Sequence, residues 1–121
     1  MMRGEEYLKK EKQFSLVYNE GRLIKGRLLS IRFMPNNLDI SRYGFIVGKR
    51  VGKAVMRNRI KRLLREISRQ IHIKAGWDIV FFTNPNSATA SYNELKEITL
   101  SLLAKAQVLV ENYEKACPGT N

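Results

Sequence analysis

KRVGKAVMRNRIKRLLREISR, residues 49–69, decides how this chain is read. It holds nine of the 22 lysines and arginines and one of the 11 acidic residues, Glu66, a net +8 out of +11. At about 100° per residue, Met56, Ile60, Leu63, Leu64, Ile67 and Ile71 gather within roughly a third of a helix circumference. Arg57, Lys61, Arg65 and Arg69 step along another side at every fourth position, flanked by Arg59 and Arg62. The spacing predicts an amphipathic helix over residues 54–73, apolar on one side and cationic on the other. Gly48 and Gly52 bracket the loop that enters it, which carries Lys49 and Arg50, with Lys53 just beyond. A solvated helix face interleaves acids for i, i+4 pairing, whereas like charges at that spacing cost a few tenths of a kcal/mol per pair. Repeating the unfavourable spacing along one ladder implies an anionic partner, and a dense local patch is the footprint of nucleic-acid binding.

Outward from this helix the pattern alternates between strands and helices. Residues 22–34 read as extended chain broken near Gly26. Its second part places Leu29, Ile31 and Phe33 on one face and Leu28, Ser30 and Arg32 on the other. Pro35-Asn36-Asn37 turns the chain, and residues 43–47 alternate as a further strand. The short link predicts that these two strands are antiparallel neighbours. Residues 77–83, WDIVFFT, are apolar at both parities, the mark of a strand covered on both sides. Before the strands, Phe14, Val17 and Tyr18 mark a short amphipathic helix over residues 9–19, with Gly21 as a left-handed stop. After them, Ser91 and Glu94 have capping-box spacing. They open a long last helix whose buried side runs through Leu95, Ile98, Leu102, Ala106, Leu109 and Tyr113. The order is α-β-β-β-α-β-α: an α+β fold with a small mixed sheet and helices packed against it.

Bulk properties bound the function. A length of 121 residues fits one domain over residues 1–121, with an ordered core of about 7–113 and a tail at 114–121. The remaining charge is modest: residues 1–48 hold nine basic and five acidic side chains, residues 70–121 four and five. Cys117 is the sole cysteine, which suits a reducing compartment and excludes a cysteine-cluster metal site. No apolar run approaches the ~18 residues that span a bilayer, and the N-terminus lacks a secretion signal, so a cytoplasmic location and no membrane partner are expected. His72 has no companion at metal-ligand spacing and reads as a surface residue; Trp77 reads as core. No paired carboxylates, Ser/His/Asp set or phosphate-loop consensus is present, so the chain is not expected to hydrolyse a substrate by itself.

The run Ala-Val-x-Arg-Asn-Arg-x-Lys-Arg-x-x-Arg, Ala54 to Arg65, resembles the signature of the bacterial ribonuclease P protein component. Leu8 to Gly21 is similar to that family's first helix, Tyr43-Gly44-Phe45-Ile46-Val47 to its central strand, and Trp77-Asp78 to Asn84-Pro85 to its last strand, so the likeness spans roughly residues 7–113. It implies a holoenzyme in which a large RNA subunit, with Mg²⁺, cleaves the 5′ leader from precursor transfer RNA, while the protein binds both RNAs. No obligate protein partner and no metal bound by the protein alone are expected, while metal sites at the protein–RNA junction, where phosphates could supply ligands, stay open. A left-handed crossover through the basic helix is also implied, where pattern alone predicts a right-handed one. Carried over by position, Lys53, Arg57, Asn58, Arg59, Lys61, Arg62 and Arg65 face the RNA subunit, and Lys49, Arg50 and Arg69 extend the same basic surface. Phe14, Tyr18, Leu28, Ser30 and Arg32 line a leader cleft, where aromatic rings above a positive groove suit single-stranded RNA.

Two departures from the family pattern stand out. Arg32 occupies a position that is commonly aromatic, replacing ring stacking by guanidinium stacking or a phosphate contact. Thr83-Asn84 precede Pro85 where arginine is frequent. A helical apolar pair such as Phe14 and Tyr18 is first of all a core pair; the resemblance adds the alternative that one of them is exposed. Gly48 and Gly52 permit either a turn or a close approach to phosphate. A structural RNA-binding protein with no part in processing would share the composition and is separated only by the motif; a basic helix reading duplex DNA is disfavoured by the short helix with no dimerisation zipper.

Overall fold

The computed structural model describes residues 7–110. Helix α1 (Glu11–Glu20) is followed by strands β1 (Arg22–Ile24), β2 (Leu29–Pro35) and β3 (Arg42–Ile46). A 3₁₀ turn (Lys49–Val51) then leads into α2 (Ala54–Gln70), β4 (Trp77–Thr83), a second 3₁₀ turn (Pro85–Thr89) and α3 (Tyr92–Ala106). The element order is the one expected.

The sheet runs β1-β2-β4-β3, with β4 antiparallel to β2 and parallel to β3. This corrects one expectation: β2 and β3 are not neighbours, because β4 lies between them. The most apolar strand takes the centre, where both of its edges are paired and both of its faces covered. The six residues between Pro35 and Arg42 reach across it easily, since an extended chain spans about 3.3 Å per residue and two strand spacings need only about 10 Å. That link is pinned to the entry of β4. Asn36 N–H donates to the Gly76 carbonyl (2.9 Å), Gly76 N–H to Ile40 (3.2 Å) and Trp77 N–H to Ser41 Oγ (3.0 Å). Asp78, 3% exposed, accepts two hydrogen bonds from Arg42 (2.9 and 2.7 Å) and one from Asn36 Nδ2 (2.9 Å).

One sheet face carries Leu29, Ile31, Phe33, Tyr43, Ile79 and Phe81 and packs with Ile60, Leu64 and Ile67 of α2 and Leu95, Leu102 and Leu103 of α3 as the main core. The opposite face forms a smaller cluster, Leu8, Val17 and Val80 with Phe14, Met34 and Phe82, beneath α1. Gly44 fits that face because any Cβ there would strike the Phe14 ring.

Element ends differ from expectation in three places. Helix α2 stops at Gln70, and Ile73 instead bridges to Leu109. Helix α3 stops at Ala106, where Gln107 turns left-handed (φ 62°). Leu109 is buried, but from beyond the helix, and Tyr113, Cys117 and the tail lie outside the described residues. Gly21 is extended (φ −78°) instead of left-handed, with its N–H closing α1 on the Val17 carbonyl (2.8 Å). The Ser91–Glu94 capping box is present: Glu94 N–H donates to Ser91 Oγ (3.1 Å) and Ser91 N–H to the Glu94 carboxylate (2.9 Å).

Candidate nucleic-acid interface

Helix α2 buries Ile60, Leu64 and Ile67, with Met56 and Leu63 half-buried beside them. Its outward stripe is therefore set by geometry: Val55, Asn58, Arg62, Arg65 and Arg69 are exposed, and Val55 is 83% exposed. Lys53 sits exposed at the N-terminus, and Lys49 and Arg50 project from the preceding 3₁₀ turn. Lys53, Asn58, Lys61, Arg62 and Arg65 have no side-chain hydrogen bond or ion pair among the described residues.

The other basic residues of α2 are anchored. Arg57, half-buried on one flank, donates to the Gly52 carbonyl (3.1 Å), and Arg59 on the other flank donates to the Ala90 carbonyl (3.3 Å). Arg69 pairs with Glu66. The ladder at every fourth residue thus runs obliquely, from the half-buried Arg57 to the exposed Arg65. Gly52 (φ +148°) has a backbone that side-chain-bearing residues rarely adopt, whereas Gly48 (φ −72°) faces open space; of the two glycines, only Gly52 is demanded by its turn.

The opposite sheet face gathers the other candidate residues, with one exception. Arg32, Val80 and Gly44 form one row across the strands, and Ser30, Phe82 and Ile46 the next. Helix α1 overhangs them. Phe14 is half-buried against Gly44, while Tyr18 is 54% exposed and meets Phe82 edge-on (6.0 Å between centroids). The Arg32 guanidinium lies 4.3 Å from the Tyr18 ring centroid and donates to the Tyr18 carbonyl (3.1 Å), so it stacks within the chain itself. Ile46, 39% exposed, continues the face toward Lys49 and Arg50.

Leu28 is the exception and a correction. It precedes β2, is 4% exposed and belongs to the main core, so it does not share the Ser30/Arg32 face. Strict alternation misplaced it because the chain is not yet in the strand there. Asn84, where a cation is frequent in the family, holds the β1–β2 loop through its amide, which donates to the Arg27 (3.1 Å) and Gly26 (3.4 Å) carbonyls. His72 is exposed, and Trp77 is half-buried against Phe33 (5.8 Å). Sequence reasoning missed the Arg42–Asp78–Asn36 cluster; an aspartate inside an otherwise apolar strand was the available signal.

A small α+β domain with a cationic helix on one side of its sheet and an aromatic–arginine face on the other defines a class of RNA-binding subunit. The family model described as Ribonuclease P matches residues 2–107. A ribonuclease P protein component of Dehalococcoides mccartyi is 44% identical over 94% of this chain and 95% of its own length. One from Alkaliphilus metalliredigens is 39% identical over 89% and 99%. Among solved structures, the Staphylococcus aureus RNase P protein superposes with a TM-score of 0.79 at 28% identity, covering 87% of this chain and 98% of that one. The Thermotoga maritima protein superposes at 0.76 and 31% identity, covering 83% and 96%.

The chain belongs to the ribonuclease P protein family. It is the protein subunit of bacterial ribonuclease P, the enzyme of transfer-RNA 5′ processing, and its partner is the RNA of that enzyme. No helix among the described residues is long and apolar enough to cross a membrane.

Proposed function

We propose that the outward stripe of α2, with Lys49, Arg50 and Lys53, docks on the RNA subunit, while the sheet face beneath α1 receives the 5′ leader of precursor transfer RNA. One observation carries this reading: Lys61, Arg62 and Arg65, with Lys53 at the N-cap, have no side-chain hydrogen bond or ion pair among the described residues, on a helix whose other side is locked into the core. Unpaired cations at fixed spacing match a phosphate backbone, and counterion release then supplies affinity. Asn58 adds an amide donor and acceptor between two arginines. On the leader side, Arg32 and Tyr18 form a ready stack for an unpaired base, with Phe82 beneath.

Chemistry falls to the RNA subunit with Mg²⁺. Among the described residues, no three His, Cys, Asp or Glu side chains gather that could hold a metal ion. The protein's part is to hold both RNAs in register. The test is precursor binding by the holoenzyme at low Mg²⁺ across a series of leader lengths. Affinity is expected to rise until the leader fills the face beneath α1 and then level off; affinity independent of leader length would remove the cleft from the account.

A further inference from the structure

A second cationic run lies outside α2: residues 21–38 contain Arg22, Lys25, Arg27 and Arg32 and no acid. Arg27 borders a groove of about 530 Å³ between the β1–β2 loop, the 3₁₀ turn Pro85–Thr89 and the start of α3, lined also by Pro85, Asn86, Thr89, Ala90 and Glu94. That volume falls within the roughly 300–1,000 Å³ of clefts that hold small ligands.

Three features suit it to a ligand. Its floor is pre-organised, because Asn84 pins the loop backbone through the Gly26 and Arg27 carbonyls and its own N–H donates to Leu28 (2.9 Å). The side chains of Arg27, Asn86 and Thr89 have no hydrogen-bond partner among the described residues, so cation, amide and hydroxyl all remain available at one opening. The wall is also continuous with α2, since Arg59 holds the carbonyl of Ala90.

Charge sign narrows the occupant. Glu94 keeps one carboxylate oxygen on Ser91 N–H, and the Ser91 hydrogen bonds hold its carboxyl below the usual carboxylate range. An ionised acceptor beside Arg27 disfavours a bare anion and favours a group that combines a phosphate with a hydrogen-bond-donating base edge.

We propose that this groove is a second contact with the RNA subunit, taking one unpaired nucleotide whose phosphate sits on Arg27 and whose base edge donates to Glu94. The inference rests on α2 being the docking face, because the groove is reached by an RNA strand that leaves α2 past Arg59.

The test uses the full chain and its RNA subunit, titrated at several salt concentrations, with Arg27→Ala, Glu94→Gln and, as a control on the docking face, Arg62→Ala. Glutamine also serves in a capping box, so Glu94→Gln keeps the helix start. Arg27→Ala is expected to bind about tenfold more weakly, the order of one charge-assisted contact, with a salt slope shallower by about one unit and an unchanged melting temperature. Glu94→Gln is expected to bind several-fold more weakly at an unchanged slope. Unaltered binding by Arg27→Ala alongside weakened binding by Arg62→Ala overturns the groove and leaves the docking face standing; unaltered binding by both overturns the docking face itself. Tighter or equal binding by Glu94→Gln overturns the nucleotide assignment, since removing a negative charge helps a bare phosphate. A loss confined to precursor transfer RNA would assign the groove to the wrong RNA and overturn the proposal.

Discussion

Arg32 shows how one residue changes the chemistry of a face. Its guanidinium covers one side of the Tyr18 ring and is tied to the Tyr18 carbonyl, so in the proposed leader cleft a base would meet a planar cation instead of a bare ring. Arg32→Ala is therefore expected to weaken leader-dependent precursor binding and to flatten its salt dependence by about one unit. Arg32→Tyr is expected to restore affinity but not slope; fluorescence anisotropy across a salt series reads both. Arg42 carries a structural charge. Breaking a buried pair by removing one partner leaves the other charge uncompensated, so Arg42→Leu should cost about 3 kcal/mol in chemical denaturation. That pairing was illegible in sequence because its members lie 36 positions apart with an intervening helix. Leu28 was illegible for a different reason: period-2 alternation holds only inside a strand, and β2 begins one residue later.

Helices were the most legible elements, since an apolar stripe at helical spacing is a physical requirement for packing. The apolar side of α2 falls where its periodicity places it, with Ile60, Leu64 and Ile67 buried and Met56 and Leu63 half-buried at its margin. Leu64→Ala should lose about 2–5 kcal/mol and Leu63→Ala distinctly less, measured by urea denaturation. The end of α3 was less legible, because Leu109 and Tyr113 continue the apolar spacing past the point where Gln107 turns the chain. Its start was plain from Ser91 and Glu94. The Ser91 backbone and side-chain hydrogen bonds lower the Glu94 carboxyl from its ordinary value, with nearby Arg27 adding to the effect. A depressed acid contributes stability above its unfolded value and loses it as pH falls through the folded one. Melting temperature should thus decline on acidification through that range, and less steeply in Glu94→Gln.

At the scale of the molecule, element order was legible and strand order was not. A short link between two strands favours a hairpin, but the burial demand of WDIVFFT, residues 77–83, outranks it and draws β4 into the centre. This arrangement puts α1 on one sheet face and α2 with α3 on the other, so the two candidate RNA surfaces lie on different sides of one small domain. The charge run was legible as a patch. Which of its members point outward depended on the helix's rotation against the core, with Arg57, Arg59 and Arg69 held by contacts within the chain. The most direct test follows from that rotation: a salt titration of RNA-subunit binding by Arg62→Ala/Arg65→Ala beside the unaltered chain. Affinity is expected to fall steeply, with a salt slope shallower by about two units and the melting temperature preserved. An unchanged dissociation constant and slope in a folded double variant would contradict the account.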